Sequence, residues 1–221
     1  MRHFLRSFLV SVMVVFGASA PACAEDEPPF SSRLVTVGSE LPPSAEDTRD
    51  DGILRDSTGR PVLHDLLGER LPDMQATRVG GDGFTTSDLA GRWTILAVWG
   101  VWCHDSRNDM DNIADLAGRT EHMDDLDFLS VHVPYSADHL DSMYRQHGSV
   151  DRFFEARGVS FPAVLDETAE LRAALKIEWT PTYLLVGPDL TVHGYRTDFS
   201  KGGDSAVETF LEDTQKLRTG S

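Results

Sequence analysis

The chain has 221 residues, of which 20 are Lys or Arg and 36 are Asp or Glu, and its formal net charge is −16. A chain this acidic is unsuited to binding nucleic acid or an anionic membrane surface, because both are recognised through clustered basic side chains. Its two cysteines exclude a disulfide-rich scaffold and a four-cysteine zinc site. Acidic enzymes, binding modules and adaptors remain.

Residues 1–24 are predicted to be a secretory signal peptide. A positively charged start precedes an uncharged apolar run over residues 8–20, and a small-x-small cleavage pattern follows at residues 22–24. The run is shorter than the about 20 residues that span a bilayer. The protein is therefore expected to be exported to the periplasm. Cys23 is either removed with the signal or becomes the lipidated first residue of a membrane-anchored lipoprotein, and neither route leaves Cys103 a second thiol for pairing.

Residues 25–67 are predicted to be an acidic, proline-rich arm that is extended or disordered. Residues 25–60 contain nine acidic residues and four Arg, a composition that buries little apolar surface. The globular domain is expected to cover residues 68–218.

That domain shows strand and helix patterns in alternation, which is typical of a mixed α/β sheet. A turn rich in glycine joins residues 74–79 to Phe84 in a predicted hairpin. The other predicted strands are residues 93–99, 128–133, 163–165, 183–186 and 191–195. The predicted helices follow Trp102 as far as Gly118, begin near Ser136 with Leu140, Met143, Tyr144 and His147 on one face, and cover residues 150–156, 168–175 and 205–217.

Cys103 lies where the first long apolar strand ends and a helix begins, in the sequence WGVWCHDS over residues 99–106. The N–H groups at a helix N-terminus favour the thiolate, which is the nucleophilic form of cysteine. The neighbouring carboxylate of Asp105 opposes that effect. The sequence thus leaves two interpretations open, a reactive thiol and a vestigial one.

Six short motifs follow one another from residue 70 onward. They are RLPD at 70–73, TSDLAG at 86–91, WC at 102–103, FPAVLD at 161–166, WTPTYLL at 179–185 and GPDL at 187–190. Each is weak alone, but together and in this order they resemble the thioredoxin superfamily, specifically exported thiol-disulfide oxidoreductases of the TlpA/ResA type. The resemblance covers residues 68–217 and implies a thioredoxin-like fold, a mixed central sheet flanked by helices, with an inserted helical segment at about residues 136–158.

The resemblance also implies roles for individual residues. Pro181 would be the family's cis-proline, facing Cys103, and Thr180 would present its backbone to the substrate. Trp102 would flank the thiol as part of the substrate-binding surface. The family's Trp-Cys-x-x-Cys pattern is broken, because Ser106 stands in place of the second cysteine.

The predicted function is thiol-disulfide exchange by a monothiol protein, with protein thiols or disulfides as partners. Cys103 would be the nucleophile, and Ser106 and His104 would tune it. A thiol from the substrate, a small thiol or a partner reductase would have to resolve the mixed disulfide, since serine cannot. The equally plain interpretations are that Ser106 satisfies a backbone N–H and that His104 is a solvent-exposed side chain. No cofactor or metal is required.

The same residues are compatible with two other functions, a binding module and a metal site. A redox-inactive binding module would use the groove between Cys103 and Pro181 to hold a partner protein. Thiolate and imidazole ligands suit copper or zinc, and the residues available for such a site are Cys103, His104, His132 and His193.

Peroxidase chemistry is another use of a lone thiolate on this fold. It would require a Pro and then a Thr or Ser at set positions before the cysteine, and Leu96 and Gly100 stand there instead. The sequence therefore disfavours a peroxidase.

Overall fold

The computed structural model describes residues 33–140 and 147–220. The predicted signal peptide, Cys23 and the first part of the acidic arm lie outside these residues. None of the helices in the described ranges combines the length and hydrophobicity that a bilayer-spanning segment needs.

One eight-stranded mixed sheet organises the molecule, in the order β1-β8-β7-β4-β5-β6-β2-β3. Its strands are β1 (Val35–Thr36), β2 (Gln75–Arg78), β3 (Gly83–Thr85), β4 (Trp93–Trp99), β5 (Leu126–His132), β6 (Ala163–Leu165), β7 (Thr182–Val186) and β8 (Val192–Thr197). The central strand β4 pairs parallel with β5 and antiparallel with β7. This architecture confirms the expected mixed α/β, thioredoxin-like fold.

Five α-helices in the described ranges accompany the sheet. They are α1 (His104–Asn108), α2 (Met110–Thr120), α3 (Val150–Arg157), α4 (Glu170–Ala174) and α5 (Ala206–Thr219). Helix α2 runs past Gly118, where the sequence predicted its end, because an exposed glycine weakens a helix without stopping it. The helix predicted to carry Leu140, Met143 and Tyr144 falls mainly on residues 141–146, outside the described residues.

The side chains of β4 alternate between two buried layers, as the period of a strand requires. Ile95, Ala97 and Trp99 join the layer that also contains the apolar faces of α2, α3 and α5. Leu96 and Val98 join the opposite layer, which includes residues of α4. Strand β4 is therefore buried on both faces, which explains its continuous apolar sequence.

The expectation of an extended or disordered arm is wrong for residues 33–67. Val35 and Thr36 form the edge strand β1 against β8, and Val62 and Leu66 are buried. The Tyr195 hydroxyl also donates a hydrogen bond to the carbonyl of Pro61 at 3.0 Å. The average composition of the arm concealed these few apolar positions, which are enough to pack the segment onto the sheet.

A buried carboxylate fastens the arm to the domain. Arg60 Nε lies 2.6 Å from Asp198 Oδ2, and the indole N–H of Trp179 donates to the same oxygen at 3.0 Å. The pKa of Asp198 is raised to about 7, because burial and the carboxylates of Asp109 and Asp105 raise it more than Arg60 lowers it. The ionised form is thus disfavoured by burial although it has a cationic partner.

We expect Asp198→Asn to change how stability depends on pH. The folded-state pKa of about 7 exceeds the ordinary 3.8, so the folded protein holds a proton that the unfolded chain releases. The stabilisation of the folded protein by this bound proton is fully present below about pH 4 and is lost as the pH rises through about 7. In urea titrations, the free energy of unfolding of the variant minus that of the wild type should rise by about 2–3 kcal/mol from about pH 5 to about pH 8.

Asp82→Asn is the matched control, because Asp82 lies exposed in the turn between β2 and β3. Its difference from the wild type should stay constant over the same range. A constant difference for Asp198→Asn as well would show that Asp198 remains ionised throughout, and would contradict the prediction.

Candidate active site

The site begins where β4 ends. Trp99 is fully buried, and the chain then turns through Gly100 so that the N–H of Cys103 donates to the Gly100 carbonyl at 3.0 Å. Cys103 is the N-cap residue of α1, with extended backbone angles. The thiol is therefore partly exposed at the start of a helix, as the sequence predicted.

The thiol of Cys103 meets the loop before β7. Its Sγ donates a hydrogen bond to the carbonyl of Thr180 at 3.2 Å. The Thr180–Pro181 peptide bond is cis, which confirms the expectation for Pro181. Val98 pairs with Thr182 in the sheet, so the C-terminal end of β4 and the N-terminal end of β7 lie side by side and bring these residues together.

Trp102, the residue before Cys103, is held in place by contacts with the loop after β5 and with α4. Its indole N–H donates to the carbonyl of Val133 at 2.8 Å, and its ring makes an edge contact with Tyr135, the centroids 5.1 Å apart. The guanidinium carbon of Arg172 lies 5.3 Å from the centroid of the Trp102 ring. The wall of the site is thus an aromatic pair with a cation over it.

Ser106 is placed to support the loop. Its side chain is fully buried, and its Oγ accepts the N–H of Gly100 at 3.3 Å. This is the plainer of its two sequence interpretations, satisfaction of a backbone N–H. Ser106 therefore orders the turn before Cys103, and its role in tuning the thiol stays a prediction.

His104 is turned toward its own helix. The side chain is 77% exposed, with Nδ1 3.6 Å from Asp105 Oδ1 and 3.1 Å from Asn108 Nδ2. These partners match the interpretation of His104 as an exposed residue at a helix start. The structure gives no contact between His104 and Cys103 that would support tuning of the thiol.

The histidines considered as metal ligands are dispersed. His132 is buried below the loop, where its Nε2 accepts the N–H of Val101 at 3.2 Å, and burial lowers its pKa to about 3. His193 contacts the ring of Trp93 instead. Within the described ranges, no three His, Cys, Asp or Glu side chains are grouped so that they could hold a metal ion.

Two residues of the site escaped the sequence analysis. Asp109 separates α1 from α2, and its buried carboxylate accepts the Tyr183 hydroxyl at 2.9 Å and the N–H groups of Phe199 and Ser200 at 2.6 Å each. Arg172 reaches the site from α4. An acidic residue next to an apolar helical pattern could have indicated a structural role for Asp109. No local pattern indicates that Arg172 belongs to the site, because it lies 69 positions after Cys103 in the chain.

The comparisons with known proteins agree with this geometry. Residues 67–199 match the model of the AhpC/TSA family. The chain belongs to that family. It is 25% identical over 122 residues to the thiol-disulfide oxidoreductase ResA of Bacillus subtilis, across 55% of this chain and 62% of that protein. It is 24% identical over 147 residues to ResA of Halalkalibacterium halodurans, across 66% of this chain and 75% of that protein.

The match thus spans less than two thirds of the Bacillus subtilis relative. The activity of that whole protein therefore does not transfer directly to this chain. Among solved structures, the chain resembles that of a proposed protein disulfide isomerase from Bacteroides thetaiotaomicron. The TM-score is 0.51 at 18% identity, over 68% of this chain and 88% of the other. At that identity the likeness concerns the fold alone.

We expect Gly100→Ala to displace Trp102. A Cβ at residue 100 would overlap the indole of Trp102, so the ring should move and its hydrogen bond to Val133 should be lost. The free energy of unfolding should fall by about 1–3 kcal/mol, with a changed tryptophan signal in near-ultraviolet circular dichroism.

Gly118→Ala is the control for this substitution. Nothing lies within 4 Å of a Cβ added there, and alanine in a helix is neutral or stabilising by up to about 1 kcal/mol. An unchanged tryptophan signal in Gly100→Ala would show that the loop accommodates the methyl group without moving the ring.

Proposed function

We propose that the protein carries out thiol-disulfide exchange through Cys103. The proposal rests on one contact. The partly exposed thiol of Cys103, at a helix N-terminus, donates a hydrogen bond to the carbonyl of Thr180 beside the cis-proline. The family and the ResA relatives support the same chemistry. Protein thiols or disulfides are the proposed partners.

The exchange needs a second thiol that this site lacks. The Cys103 thiolate attacks one sulfur of a substrate disulfide, forms a mixed disulfide, and the other sulfur leaves as a thiolate that takes up a proton. Release requires a thiol from the substrate, a small thiol or a partner reductase to attack that mixed disulfide. Ser106 cannot do so, and its buried position below the loop fits a structural role.

The remaining roles follow from position. The backbone of Thr180 and Pro181 would pair with the substrate chain next to the disulfide, and Trp102 would cover one side of it. His104, exposed on α1, would carry protons. We further propose that residues 1–24 export the protein to the periplasm, that Cys23 decides between a soluble and a lipid-anchored form, and that residues 68–218 form the catalytic domain.

A redox-inactive binding module is the second candidate. The observation that favours it is Ser106 in the place of a resolving thiol. Such a module would hold a partner in the groove between Cys103 and Pro181 and would tolerate the loss of the thiol.

We expect the thiol of the folded protein to react faster than the same thiol in the unfolded chain. The chain beginning at Glu25 contains Cys103 as its one cysteine, so adduct formation with hydroxyethyl disulfide can be followed by mass spectrometry with and without denaturant. A cysteine that serves in exchange is made more reactive by its folded surroundings, so the folded rate should be several-fold higher.

Cys103→Ala should form no adduct. A folded thiol that reacts more slowly than the unfolded one would contradict the exchange proposal and favour the binding module.

We expect Ser106→Cys to release the mixed disulfide from within. The introduced thiol would lie in the first turn of α1, three residues after Cys103, and an intramolecular thiol acts at a high effective concentration. The adduct should persist in the wild type and in the Ser106→Ala control, and should disappear in Ser106→Cys with formation of an internal disulfide.

The intermediates can be followed by mass spectrometry after acid quenching. If the adduct persists equally in all three proteins, the buried first turn of α1 does not let a second thiol reach Cys103.

A further inference from the structure

Arg172 lies over the aromatic wall of the site. Its guanidinium carbon is 5.3 Å from the centroid of Trp102 and 5.9 Å from that of Tyr135. One guanidinium nitrogen donates to the carbonyl of Pro134 at 3.1 Å, and the Arg172 backbone N–H donates to Asp166 at 2.8 Å. The cation is therefore held in position over Trp102, the residue before Cys103.

The guanidinium lacks a direct ion-pair partner in the described part of the chain. Among the described residues, no carboxylate lies within ion-pairing distance of it, although Arg60, Arg78, Arg92 and Arg119 all have such partners. Burial lowers the pKa of Arg172, and the charges of Glu178, Tyr135, Cys103 and Asp166 act in the opposite direction. Arg172 thus lies half-buried with Cys103 among the groups near enough to act on it, and like any arginine it stays cationic.

We propose that Arg172 makes the site selective for reaction partners that carry a carboxylate next to the reacting sulfur. This inference rests on the proposed thiol-disulfide exchange and names the substrate class of the same site. Two sources of that carboxylate share this chemistry, namely an acidic residue beside a substrate cysteine and the carboxylate of a small thiol.

The negative charge of the rest of the protein disfavours such a partner. The chain has a net charge of −16, and Glu178 lies close enough to Arg172 to interact with it. An anionic partner would therefore be repelled over most of the surface and attracted at Arg172. Glu178 should weaken that attraction, which gives a second variant with the opposite expected effect.

Paired alkylating reagents test the charge directly. Iodoacetate is anionic and iodoacetamide neutral, and in both cases the Cys103 thiolate displaces iodide. The ratio of the two rate constants cancels any change in the nucleophile and isolates the effect of charge on the approaching reagent. Measurements at low salt on the chain beginning at Glu25 avoid screening.

We expect Arg172→Gln to lower the iodoacetate-to-iodoacetamide ratio by about threefold or more, the effect of one unit charge at roughly 6 Å across water. Arg172→Lys should retain most of the ratio, and Glu178→Gln should raise it. Arg92→Gln makes the same change in net charge beside the first residue of β4, at the opposite end of that strand from Cys103, about 20 Å away. It should leave the ratio unchanged.

The outcomes separate the two proposals. An unchanged ratio in Arg172→Gln would overturn the role of Arg172, and so would an equal fall in Arg92→Gln. If hydroxyethyl disulfide fails to react while iodoacetamide does, exchange itself is refuted, and the alkylation ratio still reports on Arg172.

To identify the source of the carboxylate, the reaction must be measured with disulfides in place of alkylating reagents. Cysteine peptides flanked by Glu or by Gln, presented as disulfides, test the protein source. Dithiodipropionate and hydroxyethyl disulfide test the small-molecule source. Faster reaction of the acidic member, dependent on Arg172, supports the proposal for that source, and equal rates in both pairs contradict it.

Discussion

The antiparallel pairing of β4 with β7 is the constraint on which the site depends. In that register Val98 lies opposite Thr182, so the loop that leaves β4 and the loop that enters β7 emerge at the same edge of the sheet. The hydrogen bond from Cys103 Sγ to the Thr180 carbonyl links these two loops directly. The proposed nucleophile and the proposed backbone acceptor for substrate therefore meet although 77 positions separate them in the chain.

Buried polar groups hold the surroundings of this junction. Asp109 accepts hydrogen bonds from Tyr183 on β7 and from the N–H groups of Phe199 and Ser200 after β8, and so joins the start of α2 to both strands. Asp198 joins the N-terminal arm to Trp179, the residue before Thr180. Removing one partner of such a group leaves a buried polar atom unpaired, which is costly. The arm is thus part of the support of the active-site loop.

The chemistry of the site combines a family scaffold with an unusual side-chain set. The thiol, the cis-proline and the flanking tryptophan are in place, but the position of a resolving thiol is filled by a buried serine that accepts the Gly100 N–H. In the proposed exchange, reactivity and release are separate properties, because release depends on a thiol that comes from outside the site. A fixed cation at Arg172 gives the groove a local charge opposite to that of the protein as a whole.

The sequence by itself determined strands β2 to β8, the helix that begins after Cys103 and the thioredoxin-like fold, because apolar periodicity and short motifs are local signals. Cys103 and Pro181 were found in the same way. Only the tertiary structure decided that residues 33–67 pack on the sheet, that Ser106 faces the loop and His104 the solvent, and that Arg172 joins the site. These outcomes depend on contacts between residues far apart in the chain, and no local pattern encodes which distant side chains become neighbours.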